Sequence, residues 1–143
     1  MKKILLTIIL FTVIFSYVYS YEEKEVHDFF YNIINELQYA RELCIMYNNG
    51  AYNGEELKII EGHIKNQLSG ILQNIKNNKI LVENDLCLKR ILVIINYEVN
   101  NLYNIKFVNG SDEIIRKVDI LIDITFFALI VINYDKIIPD QNL

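Results

Sequence analysis

From Glu22 to about Tyr47 the apolar side chains fall at Val26, Phe30, Ile33, Leu37, Ala40, Cys44 and Tyr47. Gaps of four and three residues alternate along this run, which is the spacing of one face of an α-helix. Phe29, Ile34 and Leu43 widen the stripe, and Glu22, Glu23 and Glu25 suit the positive N-terminal end of the helix dipole. "NNGAYNG", residues 48 to 54, then reads as a loop, because Asn and Gly accept the backbone geometry that ends helices. A second helix runs from Glu55 to about Lys76 on Leu57, Ile60, Ile64, Leu68, Ile71 and Ile75. Ser69-Gly70 lies inside it, and the glycine is a predicted kink or break. "KILVEN", residues 79 to 84, resembles a short extended stretch with no partner strand.

A third helix starts with Asn84 or Asp85 as its N-cap and carries Leu88, Leu92, Ile95, Val99 and Leu102, with Ile91, Ile94 and Tyr103 beside them. For the fourth, Ser111 is the expected N-cap, Asp112 and Glu113 fill the first turn, and Pro139 bars continuation beyond about Tyr134. The β-branched and aromatic residues of Ile120 to Tyr134 also suit a strand, but the length of the run and the acidic cap upstream select helix. The pattern predicts an all-α fold, a four-helix up-down-up-down bundle preceded by an N-terminal signal-peptide helix. No repeat, low-complexity tract or long linker divides it.

The first 20 residues have a different grammar. Lys2 and Lys3 precede an apolar run from Ile4 to Phe15, and Val18-Tyr19-Ser20 offers tolerated residues at the −3 and −1 positions of a signal-peptidase site. The run is shorter than the roughly 20 residues of a spanning helix, and the first cysteine is Cys44, so a lipoprotein junction is excluded. The alternative is an uncleaved anchor with Tyr17 and Tyr19 at the interface. The expectation is cleavage after Ser20, a secreted or periplasmic location, and one domain over residues 21–143. Removing Lys2 and Lys3 and no acid leaves 123 of the 143 residues and moves the formal charge from −4 to −6. Such a chain lacks the clustered cations that nucleic acid requires. Its wealth of Ile, Asn, Lys and Tyr fits AT-rich coding.

Few side chains offer chemistry. Cys44 and Cys87 invite a disulfide in an oxidising compartment, yet an up-down-up path puts them at opposite ends of the bundle, far beyond the roughly 7 Å between Cα atoms that a disulfide allows. They are either paired through a less simple path or buried free thiols. His27 and His63 are the only histidines, and no HExxH, CxxC, Glu-x-x-His or CxxCH pattern accompanies them, so no metal or other cofactor is called for. Ser69 lacks a nucleophile-elbow frame and the glycines form no phosphate loop. Asn109-Gly110-Ser111 matches a glycosylation sequon, at a frequency that the asparagine content alone produces.

"KVDILIDITFFALIVINYD", residues 117 to 135, holds the strongest signal. Between Ile120 and Ile132 only Asp123 and Thr125 are polar. The run is too short, and carries an acid too near its middle, for a transmembrane span. A helix apolar on all sides is central in its fold or covered by a partner, which marks Ile120, Ile124, Phe126, Phe127 and Ile130 as a candidate interface. Asp119 and Asp123 share a face one turn apart, with Arg116 in reach of Asp119 for an ion pair and Lys89, Arg90 or Arg41 in reach of Asp123 from another helix. A structural ion pair is the simpler role than acid–base catalysis. The functional expectation is a helical bundle acting by protein–protein contact or self-association through helices three and four. The alternative is a bundle that binds a small apolar ligand or lipid.

Overall fold

The computed structural model describes residues 2–108 and 112–134, with side chains over 23–108 and 112–133. Four helices account for nearly all of it: α1 (Lys2–Asn48), α2 (Gly54–Asn78), α3 (Leu86–Asn104) and α4 (Glu113–Tyr134). No strand occurs among the described residues. The expected cleavage site after Ser20, the Ser111 cap, the sequon and Pro139 lie outside the residues whose side chains are described.

Local chemistry sets the boundaries. Gly50 turns the chain after α1 at φ 72°, a backbone region that glycine enters without a Cβ clash. The Asn53 side chain then accepts from the N–H groups of Glu55 and Glu56 at 3.0 and 3.1 Å, while the Glu56 carboxylate accepts from the Asn53 N–H at 2.9 Å. This reciprocal capping box satisfies backbone donors that the first helical turn leaves open. Gly70 does not break the helix: α2 continues through it to Asn78, because its apolar stripe is held on both sides of the glycine. "KILV" is a 3-10 turn rather than an extended stretch, and it buries Val82 against the helices it links. Asp85 caps α3, accepting from the Leu88 N–H at 2.9 Å.

The helices form a closed ring. α1 packs against α2 and α4, α3 packs against the same two, and the backbones of the diagonal pairs make no close approach among the described residues. Short connections between antiparallel neighbours produce that arrangement, the up-down-up-down bundle. Phe30, Ile33 and Leu37 from α1 meet Ile64, Leu68 and Ile71 from α2, Ile95 and Val99 from α3, and Leu121 and Ala128 from α4 in one buried cluster. Each large aliphatic side chain so buried contributes about 1.5–3 kcal/mol relative to exposure. Thr125 is the one buried polar residue among those described, and its hydroxyl donates to the Leu121 carbonyl at 2.7 Å. At one end Phe107 folds back edge-on to Tyr47, ring centres 5.5 Å apart, with the Lys65 ammonium 5.8 Å above its ring.

Glu36 departs from this economy. One of its carboxylate oxygens is buried without a hydrogen-bond partner among the described residues, and burial raises its pKa above the ordinary carboxylate value. An acid with a raised native pKa binds protons more readily in the native state than in the unfolded one. Stability therefore falls as pH rises from the unfolded pKa through the native one, and the full penalty stands above both. Glu36→Gln keeps the shape and removes the charge, so it should raise the thermal midpoint at pH 8 and change it little near pH 4. An equal shift at both pH values would show that the carboxylate is not penalised in the native state.

Candidate functional site

α4 faces its neighbours unequally. Its Ile114, Val118, Leu121, Thr125, Ala128 and Ile132 point inward at intervals of three and four. On one flank Asp119 reaches α1, where the Arg41 guanidinium donates to its carboxylate at 2.5 Å. That hydrogen bond and the adjoining negative charge raise the Arg41 pKa further, and both side chains stay partly exposed. The pair therefore orients two surfaces rather than burying a charge. Around it lies a shallow groove of about 380 Å³ lined by Gln38, Arg41, Glu42, Asp119 and Ile122.

The structure separates the charges that the sequence placed together. Asp119 pairs with Arg41 of α1, not with Arg116 of its own helix, because its flank turns toward α1 while Arg116 points to solvent. Arg116 adds weakly to Lys117 in holding the Glu113 carboxyl below its usual range. Asp123 is exposed and has no ion-pair partner among the described residues, so Arg41 does not reach it. Lys89 is engaged elsewhere, 2.6 Å from Glu83. The two aspartates form no acid–base couple: one is neutralised by a guanidinium and the other is solvated.

The candidate interface is on the outside. Ile120, Phe126, Phe127 and Ile130 are 52, 43, 53 and 59% exposed, while Ile124 is partly buried against the core. No charged residue occurs between Ile124 and Tyr134. Helical phase locates this surface. Since Asp119 marks the α1 flank, Ile120, Ile124 and Phe127, turned roughly 80–140° further round the helix, lie on the flank nearest α3. Right-handed winding in an antiparallel neighbour brings the Ile94 side of α3 to the same seam, with Arg90 one turn before it. Ile94 is exposed there, and Val93 and Tyr97 are exposed further round the outer side of α3. The sequence reading assigned Ile94 to the margin of the core stripe. Its position one residue before buried Ile95 was the available signal that it sits on a flank.

Both cysteines are free. Cys44 is buried four residues before the end of α1, and burial pushes its thiol up to about 12. Cys87 is not buried: as the second residue of α3 it lies off the inward stripe begun by Leu88, and it is exposed. The two occupy opposite ends of the bundle, some 25 Å apart along the axis at 1.5 Å per residue, so the path provides no disulfide. His27 lies 3.6 Å from the Asp28 carboxylate and stacks on Tyr31, and His63 is exposed on α2. No group of three or more His, Cys, Asp or Glu among the described residues is placed to hold a metal ion. No helix among those residues is long and apolar enough to cross a membrane.

No family model, curated protein or solved structure matches the chain.

The two thiols should differ sharply in reactivity, because the thiolate is the nucleophile and Cys44 is both covered and held protonated. Titration of the native protein with an aromatic disulfide reagent should release one equivalent quickly, from Cys87, and a second only on denaturation. Two fast equivalents would mean that the elements packed against α1 do not cover Cys44.

Proposed function

We propose that the protein is an exported helical bundle that works by protein–protein contact through the outer face of α3 and α4. The observation that carries this is the half-exposure of Ile120, Phe126, Phe127 and Ile130 on a helix stretch with no charge. Single exposed apolar residues are normal on a protein surface. Helical phase sets Ile120 and Phe127 beside Ile94 at the α3 seam, and Phe126 and Ile130 round toward the Asp119 flank. The four thus spread apolar surface across the outer side of α4, and exposed apolar surface on the order of a few hundred Å² is where monomers begin to use it for binding. A fold that can turn only one stripe of α4 inward has no internal use for the rest. The apolar-ligand reading draws no comparable support, since the groove beside Arg41 and Asp119 is open and is lined by Gln38, Arg41, Glu42 and Asp119 with Ile122 alone as an apolar residue.

Export rests on the leader: two lysines, an apolar run and Val18-Tyr19-Ser20. Intact-mass measurement of the protein recovered from an exporting host should give a chain beginning at Tyr21. A full-length mass in a membrane fraction would replace export with anchoring.

Phe127→Glu tests the contact face. Phe127 is solvent-facing, so its replacement should move stability by no more than about 0.5 kcal/mol while abolishing association and the binding of an apolar-surface dye. A wild-type protein that is monomeric by light scattering and binds neither dye nor partner would end this reading.

A further inference from the structure

The dipeptide Asn-Gly occurs three times in the chain, as Asn49-Gly50, Asn53-Gly54 and Asn109-Gly110, the last outside the described residues. In this dipeptide the glycine has no Cβ to keep its backbone nitrogen away from the side-chain amide before it. Attack of that nitrogen on the amide carbon closes a five-membered ring, an intramolecular step favoured by proximity. Asn49 and Asn53 lie in one short loop, are both exposed, and precede glycines with open space where a Cβ would stand. Each side chain also accepts from the N–H two residues on, Ala51 at 3.1 Å and Glu55 at 3.0 Å. Sequence, exposure and that contact do not separate them.

Their remaining hydrogen bonds do. The Asn53 Oδ1 accepts a second time, from the Glu56 N–H at 3.1 Å, and the Asn53 N–H donates to the Glu56 carboxylate at 2.9 Å. Its carbonyl accepts from the Leu57 N–H at 2.9 Å. Attack by the Gly54 nitrogen requires rotation about the Asn53 Cα–C bond, away from its ψ of 174°, and so swings the first peptide of α2 out of the cap. Asn49 is held less. Beyond the Ala51 contact, its N–H donates to the Met46 carbonyl at a long 3.4 Å. The next residue, Gly50, stands at φ 72° outside any helix, so its peptide turns without disturbing an element.

We propose that Asn49 is a site of spontaneous deamidation, and that the α2 cap protects Asn53 from the same reaction. The Gly50 nitrogen gives its proton to hydroxide and bonds to the Asn49 side-chain carbonyl carbon. The bond from that carbon to the amide nitrogen breaks, and ammonia leaves after taking a proton from water. Water then opens the succinimide at either carbonyl and leaves aspartate or isoaspartate at position 49. One water is consumed, one ammonia is released, and nothing is oxidised or reduced. The product sets a negative charge just past the C-terminal end of α1, where the helix dipole disfavours it. The isoaspartate form also adds a methylene to the backbone between α1 and α2. None of this depends on the contact face of α3 and α4.

Peptide mapping of native protein aged at mildly alkaline pH, where hydroxide is more available, tests the assignment. Trypsin releases residues 42–58 as one peptide holding both asparagines, and Asn109 falls in another. Conversion at Asn49 should outrun that at Asn53 by about tenfold or more, the factor that cap hydrogen bonds of ordinary strength add to a barrier. In urea the two should convert at similar rates, because both are then the same dipeptide in an open chain. Glu56→Ala removes the reciprocal half of the cap at an exposed position, so the variant should fold. It should speed conversion at Asn53 several-fold and leave Asn49 unchanged. Equal native rates, or a faster Asn53, would overturn the proposal. An Asn53 rate unmoved by Glu56→Ala would overturn the cap as its protection.

Discussion

A helix can turn only one stripe toward a common interior, and in this bundle that limit shapes both stability and surface. α1, α2 and α3 are suited to it. Each has an inward row of Ile, Leu, Phe or Val at intervals of three and four, although α3 leaves Val93, Ile94 and Tyr97 on its outer side. α4 carries more apolar side chains than its stripe can hold. Leu121, Ala128 and Ile132 use up the inward positions, and what remains, Phe126, Phe127 and Ile130, is displaced to the outside. The exposed face thus follows from the same packing rule that forms the core.

Most of the architecture was legible because it depends on period. Positions such as Ile33, Ile64 and Ile95 repeat with the helical pitch, and their burial follows once four such stripes must share an interior. Details governed by backbone chemistry were less visible. The reciprocal Asn53–Glu56 cap sat in a stretch read only as loop, although Asn followed three residues later by Glu is a cap signature. Gly70 suggested a break because propensity counts a single residue, whereas the buried Leu68 and Ile71 on either side hold the helix through tertiary contact.

The candidate site was legible in composition but not in pairing. An all-round apolar helix with two aspartates can be seen in a linear string; which cation meets which carboxylate cannot, because Arg41 and Asp119 are 78 residues apart. Arg116 was nearer in sequence and on the wrong flank. Cys87 shows the same limit. One position before a core leucine is close in sequence but about 100° away around a helix, enough to change a covered thiol into an exposed one.

That angular sensitivity explains what the Arg41–Asp119 pair contributes. A helix apolar on all sides has several rotations about its axis with similar apolar burial, so hydrophobicity alone defines its orientation poorly. Small side chains narrow the choice: Ala128 and the self-satisfied Thr125 are fully buried on the inward stripe. Charge narrows it further. Turning α4 to bury Phe127 or Ile130 would carry Asp123 or Asp119 toward the interior, where an ionised carboxylate without a partner is strongly disfavoured. The pair with Arg41 rewards the one rotation that keeps both acids wet and leaves the phenylalanines outside. The charged residues of α4 matter here less for the strength of any one bridge than for the rotations they exclude, and the apolar outer face is the consequence of the rotation that survives.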